Sequence, residues 1–381
     1  MNRKNEFKIN MEEELIKKNQ TDPAKIIKKY WPYLLGGAFL IVLASGLFLK
    51  YALTEKKDDQ PADGSFNVTS TDSAVNYDGL TGRALDGVLV PPEQAELMPY
   101  AVMVEMHTEA RPLSGIAKAG LVYEAPVEGG ITRLMAVFDA TTTVESIGPV
   151  RSARPYFVEW ADALNAVYAH VGGSPESLNR IKGLLDLKNL DEFSQGQYFW
   201  RSKQRSAPHN TYTSQELLSK AAGANDWKPA KFRVWSYEEP GSEVIKGDYR
   251  TVQIPYGGSY TMEWRYDEET DLYTRYQGGK IFKDADGTAV TAKNVAVILT
   301  EQRVLDEVGR LYIRTTGSGR AMLFIHGQQA DAQWKRTAGE HISFETVDGL
   351  LMPLARGTTW IQVVTRADFM PKIDLSSESV E

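Results

Sequence analysis

From Tyr30 to Leu49 the chain reads YWPYLLGGAFLIVLASGLFL, twenty residues without a charge. No other stretch narrows the possible folds as much. A helix rises about 1.5 Å per residue, so about 20 apolar residues cross a hydrocarbon core. Trp31, Tyr33 and Tyr51 stand near the ends of the run, where aromatic rings favour the headgroup boundary. The pattern predicts one N-terminal transmembrane helix over residues 30–53. A cleaved signal peptide fits less well, because a long polar tail precedes the run and no small-residue cleavage site follows it. Residues 1–29 hold eight Lys/Arg and five Asp/Glu, a net of +3 against −7 for the whole chain, so the remainder carries −10. Lys17, Lys18, Lys25, Lys28 and Lys29 crowd the N-terminal flank. The positive-inside rule therefore places a cytoplasmic tail at residues 1–29 and everything beyond residue 54 outside the cell membrane.

An acidic exterior excludes nucleic acid as the main partner, since phosphate contacts demand a basic face. The chain has no cysteine, which excludes disulfides, thiolate metal sites, thiol catalysis and lipid attachment through sulfur. Apolar and charged fractions of 42% and 24% are those of an ordinary globular protein, so most of the exterior should fold.

Residues 54–77 are rich in breakers and read as a flexible linker. Residues 78–226 mix strand-like runs (Tyr100–Met106, Gly120–Ala125, Ile131–Asp139, Ala166–Val171) with helix-like ones (Pro155–Asn165, Ser174–Leu187, Thr213–Gly223). That mixture predicts an α/β or α+β domain. The last helix should open with a capping box, Thr213 with Glu216. Residues 227–373 change to short aromatic-rich strands with frequent turn signals, predicting a mostly antiparallel β domain. Asp284–Gly287, DADG, reads as a hairpin turn, because the later ligand positions of a calcium loop do not follow. Residues 374–381 read as a disordered tail.

Several phrases together resemble the YerB-type family of bacterial envelope lipoproteins. They are ARPLSGIAKAGLVYEAPVEGGITRLMAVF, IGPVRSARPYFVEWA, YAHVGGSPESL and RSAPHNTYTS, followed by NVAVILTEQ, TGSGRAMLFIHG and GTTWIQVV. The resemblance covers roughly residues 80–370 and implies two family domains with a boundary near residue 225. Members of that family usually carry a lipobox cysteine; here the apolar span stands in its place. The family pattern after the first strand reads Asn-His, whereas this chain has Met106-His107.

Pro155 suits a first helical turn and disfavours helical geometry at the residue before it. Arg151 and Arg154 thus approach the positive end of a helix, where a cation costs about 0.3–1 kcal/mol unless an anion joins it. Gly172, Gly173 and Ser174 form a second candidate anion loop at a helix start, although GGSP is equally a stability cap. Period-two alternation puts Arg133 among apolar neighbours, so it must be paired: with a ligand, or in an internal clamp with Glu124 or Glu128. His209 and Asn210 complete the ligand-binding set. Three of the five histidines, His107, His170 and His209, fall in the quoted phrases, yet their spacing matches no metal motif. No cofactor is expected, and a divalent metal stays open.

If these groups converge, they form an arginine-lined pocket for an anionic, phosphate- or carboxylate-bearing envelope ligand or partner. One alternative is an enzyme acting on a phosphorylated or pyrophosphorylated cell-wall precursor or glycopolymer, with Glu124, Glu128 or His170 moving protons; another is a purely structural role in which arginines and acids satisfy each other. No G-x-S-x-G, H-E-x-x-H or Walker motif is present to favour the enzyme.

Overall fold

Thirteen principal strands and three principal helices organise the described part of a computed structural model, residues 77–232, 235–249 and 251–373. The expected cytoplasmic tail, membrane span and C-terminal tail lie outside the described residues, as does all of the linker but Tyr77. Among the described residues, no helix is long and apolar enough to cross a membrane. The principal strands are β1 (Tyr100–Glu105), β2 (Leu121–Pro126), β3 (Thr132–Phe138), β4 (Val167–His170) and β5 (Lys188–Asp191). After them come β6 (Thr251–Ile254), β7 (Met262–Asp267), β8 (Leu272–Gln277), β9 (Asn294–Leu299), β10 (Gly317–Ile325), β11 (Gln328–Arg336), β12 (Ser343–Glu345) and β13 (Thr359–Val364). The three longer helices are α1 (Pro155–Ala163), α2 (Pro175–Gly183) and α3 (Gln215–Ala224).

Ten strands form one mixed sheet in the order β12-β11-β10-β9-β13-β2-β3-β1-β4-β5. The expected textures on either side of residue 226 are present. Strands from both sides nevertheless join edge to edge, through the parallel pair of β13 with β2, in which Ile361 lies opposite Tyr123. The boundary near residue 226 is therefore a change of texture within one sheet. Parallel central strands are buried on both faces, which explains their nearly continuous apolar runs.

One face of the sheet packs on α1. Tyr123, Met135, Val137, Tyr168 and Ile361 meet Tyr156, Phe157 and Trp160 there, and Trp160 stacks on Tyr123 with centroids 4.8 Å apart. The other face packs on α3 and on a smaller sheet containing β6, β7 and β8, where Trp264 meets Trp360 edge-on at 5.1 Å. Burying each such side chain contributes about 1.5–3 kcal/mol.

Local chemistry sets the helix ends. Pro155 occupies the first turn of α1, and Arg154 before it is extended (φ −133°, ψ 151°). Ser174 caps α2, accepting from the Ser177 N–H at 3.2 Å. The capping box expected at Thr213 is displaced by one residue. Ser214 caps α3, because the buried Thr213 hydroxyl donates instead to the Tyr198 carbonyl at 2.9 Å. Asp284–Gly287 is a turn, closed by the Gly287 N–H donating to the Asp284 carbonyl at 2.9 Å.

Candidate functional site

The segment carrying Arg151 and Arg154 runs between the end of β1 and the loop after β4. Its Arg151 N–H donates to the Met103 carbonyl at 2.9 Å, while the Arg151 carbonyl accepts from the Val171 N–H at 3.1 Å. Ala153 bridges Gly173. Arg133, on β3, donates to the Ser152 carbonyl at 2.7 Å. The predicted groups therefore converge: Arg133, Arg151, Arg154 and the Gly172–Ser174 loop are neighbours.

They converge on each other. Arg154 grips Glu128 with two parallel bonds of 2.6 and 2.7 Å. Arg151 contacts Glu105 through Nε. Arg133 lies directly across from Glu105 in the antiparallel β1–β3 register. Burial pushes the Glu105 carboxyl up, but Arg133 and Arg151 outweigh it and hold the group below the usual range. The Arg133 guanidinium is pushed down to about 10, first by burial and then by Arg154, despite the attraction of Glu105. Its Nε donor has no hydrogen-bond partner among the described residues.

Other candidates have structural occupations. The register places Ala125, rather than Glu124, across from Arg133, so Glu124 points to the opposite face of the sheet. There it is fully buried and accepts from Arg275 at 2.5 and 3.2 Å, Thr132 at 2.7 Å and Gln362 at 3.2 Å. Burial raises the Glu124 pKa, and these partners more than reverse the shift. A carboxylate so enclosed cannot exchange protons with a substrate. Glu128, the other proposed proton mover, is the partner of Arg154. His170 is buried, with ring nitrogens bonded to the Gly172 carbonyl at 2.7 Å and Asn189 Oδ1 at 2.8 Å.

The Gly172–Ser174 loop is likewise occupied by protein. The Gly172 N–H donates to Asp191 at 2.9 Å and the Ser174 N–H to the Ala153 carbonyl at 3.4 Å. Gly172 has φ +55°, and a Cβ on Gly173 would lie 2.4 Å from Ser177 Oγ. The glycines thus leave room for the side chains of Phe193 and Ser177 to pack against the loop. Asn210 accepts from Arg201 at 3.1 Å and is a neighbour of the open cleft described next.

That cleft, of about 490 Å³, is lined by Glu109, Arg111, Arg205, Ser206, Pro208 and His209 among others. Arg111 donates to the Met106 carbonyl at 2.9 and 3.2 Å and, weakly, to the Ser259 carbonyl at 3.5 Å. Arg205 donates to the Glu109 and Pro112 carbonyls at 3.0 and 2.8 Å. Neither makes an ion pair among the described residues, and a guanidinium has five N–H donors, so each keeps donors unused. His209 Nδ1 faces Glu105 Oε2 at 3.6 Å, joining the cleft to the buried ion pairs. Burial lowers the His209 pKa, with Arg151 and His107 adding to that against the pull of Glu105. Of the cleft residues, only His209 was among the predicted ligand-binding positions. Arg111 and Arg205 stand at the heads of the phrases ARPLSG and RSAPHNTYTS, and proline near an arginine was the available signal. Glu105 could have been found as the charged end of an otherwise apolar strand.

The protein of unknown function (DUF3048) N-terminal domain matches residues 85–228, and the corresponding C-terminal domain matches residues 252–361. The chain belongs to the DUF3048 family. YerB of Bacillus subtilis, named as a candidate lipoprotein, is 34% identical over 294 residues, covering 74% of this chain and 86% of its own. The crystal structure of that YerB protein superposes with a TM-score of 0.69 at 31% identity, over 76% of this chain and 98% of the other. The two family segments are those whose strands meet at the β13–β2 pair.

Proposed function

We propose that this protein is held in the cell membrane by a single helix over residues 30–53, with its N-terminus cytoplasmic and everything beyond residue 54 outside. There it binds an anionic, phosphate- or carboxylate-bearing envelope ligand in the cleft of Arg111, Arg205 and His209. The observation that carries the ligand class is a pair of guanidiniums with unused donors and no carboxylate partner among the described residues, facing an open cleft. Arginine presents its donors in a planar fork that matches phosphate and carboxylate oxygens. The tether is supported by the uncharged run with its lysine-rich flank and by the relative named as a candidate lipoprotein. A chain without cysteine needs another anchor, and an apolar helix supplies one. Binding is favoured over catalysis because Glu124 and Glu128 are committed to arginines.

Titration calorimetry of the full-length chain with inorganic pyrophosphate tests the cleft. Arg205→Gln and Arg111→Gln should each weaken binding at least tenfold, since a charge-assisted contact contributes about 1.5–3 kcal/mol. Undiminished binding in the double variant would remove the cleft from consideration. Protease added to intact cells should cut beyond residue 54; complete protection there would refute the orientation.

A further inference from the structure

The rim of the cleft carries a group that anion binding by arginine does not use. His107 and Glu109 lie at the turn after β1, and His209 enters from the loop before Thr211. One donor atom from each falls within 4.8 Å of the others. Glu109 Oε2 is 3.5 Å from His209 Nε2 and 4.0 Å from His107 Nδ1. The two imidazoles lie nearly parallel, 5.0 Å apart at 16°. Behind them, Glu105 Oε2 is 3.6 Å from the other nitrogen of His209.

We infer that His107 Nδ1, Glu109 Oε2 and His209 Nε2 are three ligands of a divalent transition-metal site of the zinc class, with Glu105 orienting His209 from behind. The donor set favours that class. Two imidazole nitrogens and one carboxylate oxygen suit zinc, whereas magnesium and calcium take oxygen ligands. Zinc–nitrogen distances of about 2.0–2.1 Å in a tetrahedron put neighbouring ligands about 3.3 Å apart. Closing from the present separations takes small rotations of His107 and Glu109, whose side chains are 38% and 74% exposed. His107 Nδ1 now accepts only a 3.3 Å bond from the Glu109 N–H, a weak contact that a metal bond would replace. The buried Glu105 carboxylate favours the His209 tautomer with hydrogen on Nδ1, leaving the Nε2 lone pair directed at Glu109. That is the carboxylate–histidine–metal arrangement by which outer-shell groups fix ligand orientation.

Three protein ligands leave a coordination position open, and Arg111 and Arg205 line the adjoining cleft. The metal also removes an electrostatic conflict. Without it, the Glu109 carboxylate repels any anion entering between the arginines; a divalent cation there reverses the local charge. The site goes beyond arginine-based anion binding and does not depend on it.

The test is calorimetric titration of the untagged full-length chain with zinc chloride at pH 7.5. One zinc per chain is expected, with affinity reduced at least tenfold by His107→Asn or Glu109→Gln, both at solvent-accessible side chains, so the fold should be kept. His326→Asn, which alters the other histidine flanked by two acids, should leave zinc affinity unchanged. Absence of stoichiometric zinc binding, or binding that survives both ligand variants, would overturn the site. So would loss of binding in His326→Asn with retention in the other two. Pyrophosphate binding measured with EDTA present reads the arginines alone, so the two proposals fail separately.

Discussion

Replacing Arg275 by Met should be among the most damaging single changes available in the core. Arg275 and Glu124 are both fully buried and form two hydrogen bonds, of 2.5 and 3.2 Å. The guanidinium also lies 4.9 Å from the centroid of Phe282 and 5.1 Å from that of Trp360. Methionine fills much of the same space but leaves the Glu124 carboxylate uncompensated. Removing one partner of a buried pair costs about 3–5 kcal/mol. At roughly 2 °C per kcal/mol for a domain of this size, Tm should fall by roughly 6–10 °C at pH 7.5. Thermal unfolding followed by circular dichroism reads this directly. The pH dependence supplies a second check. In the native protein the folded-state pKa of Glu124 is depressed, so its contribution is present above the unfolded value and is lost as pH falls through the folded one. In Arg275→Met, burial without the guanidinium raises the pKa, so that variant gains stability as pH falls and the gap narrows toward pH 4. Changing both residues to Met should recover part of the loss; Thr132 and Gln362, left without their acceptor, limit the recovery. A difference below about 1 kcal/mol at pH 7.5, or a gap independent of pH, would refute the account of Glu124 as a carboxylate held charged by Arg275.

Two further predictions concern groups outside the cleft. The Asp284 carboxyl is pushed up to about 6 by burial, from the ordinary aspartate value of 3.8, although it accepts from the Ala117 N–H at 2.9 Å. A raised carboxylate pKa means stability declines as pH rises between those values; Asp284→Asn should flatten that decline, by up to about 3 kcal/mol, in urea titrations at pH 4 and pH 7. An unchanged pH profile would show that Asp284 does not titrate in this window. Arg154→Ala should cost about 1–3 kcal/mol through loss of its bidentate bond to Glu128 while leaving pyrophosphate affinity within twofold. A large loss of affinity would return the anion site to the helix start.

Much of the fold was legible because alternation and helix chemistry act locally. The side chains of β3 alternate between two cores, Met135 and Val137 in one and Leu134, Ala136 and Phe138 in the other, and Ser174-Pro175 opens α2 where the cap and first-turn proline require it. The partners of charged residues were less legible, since register decides them. Glu124 and Glu128 are the nearest glutamates to Arg133 in sequence, but β2 turns Glu124 to the other face and β1 brings Glu105 across instead. Arg275 meets Glu124 from 151 residues away, and no local pattern announces a contact at that separation. The same limit hid the continuity of the sheet. A hairpin declares itself through its turn, whereas the parallel pairing of β13 with β2 joins strands with most of the chain between them. The displaced cap at α3 has a similar origin: Thr213 and Ser214 are both good caps, and a distant carbonyl, that of Tyr198, decides between them.

Glu105 connects the arginines to the cleft. It is the last residue of β1, and its Oε1 accepts from the N–H groups of Met106 and His107, each at 3.2 Å, as the chain turns away. Its other oxygen faces Arg151 on one side and His209 on the other. Burial alone would neutralise this carboxyl, and Arg133 and Arg151 keep it charged. At 3.6 Å a charged Glu105 favours the His209 tautomer with hydrogen on Nδ1, whereas a neutral one removes that preference. The cations ahead of α1 are thus explained without an external anion at that helix: Arg154 pairs with Glu128, and Arg151 helps sustain the buried charge of Glu105, which lies behind His209 of the cleft. It follows that Arg151 can influence chemistry at His209 through Glu105 while making no contact with a ligand, and that the cost of two cations near a helix start is offset inside the protein.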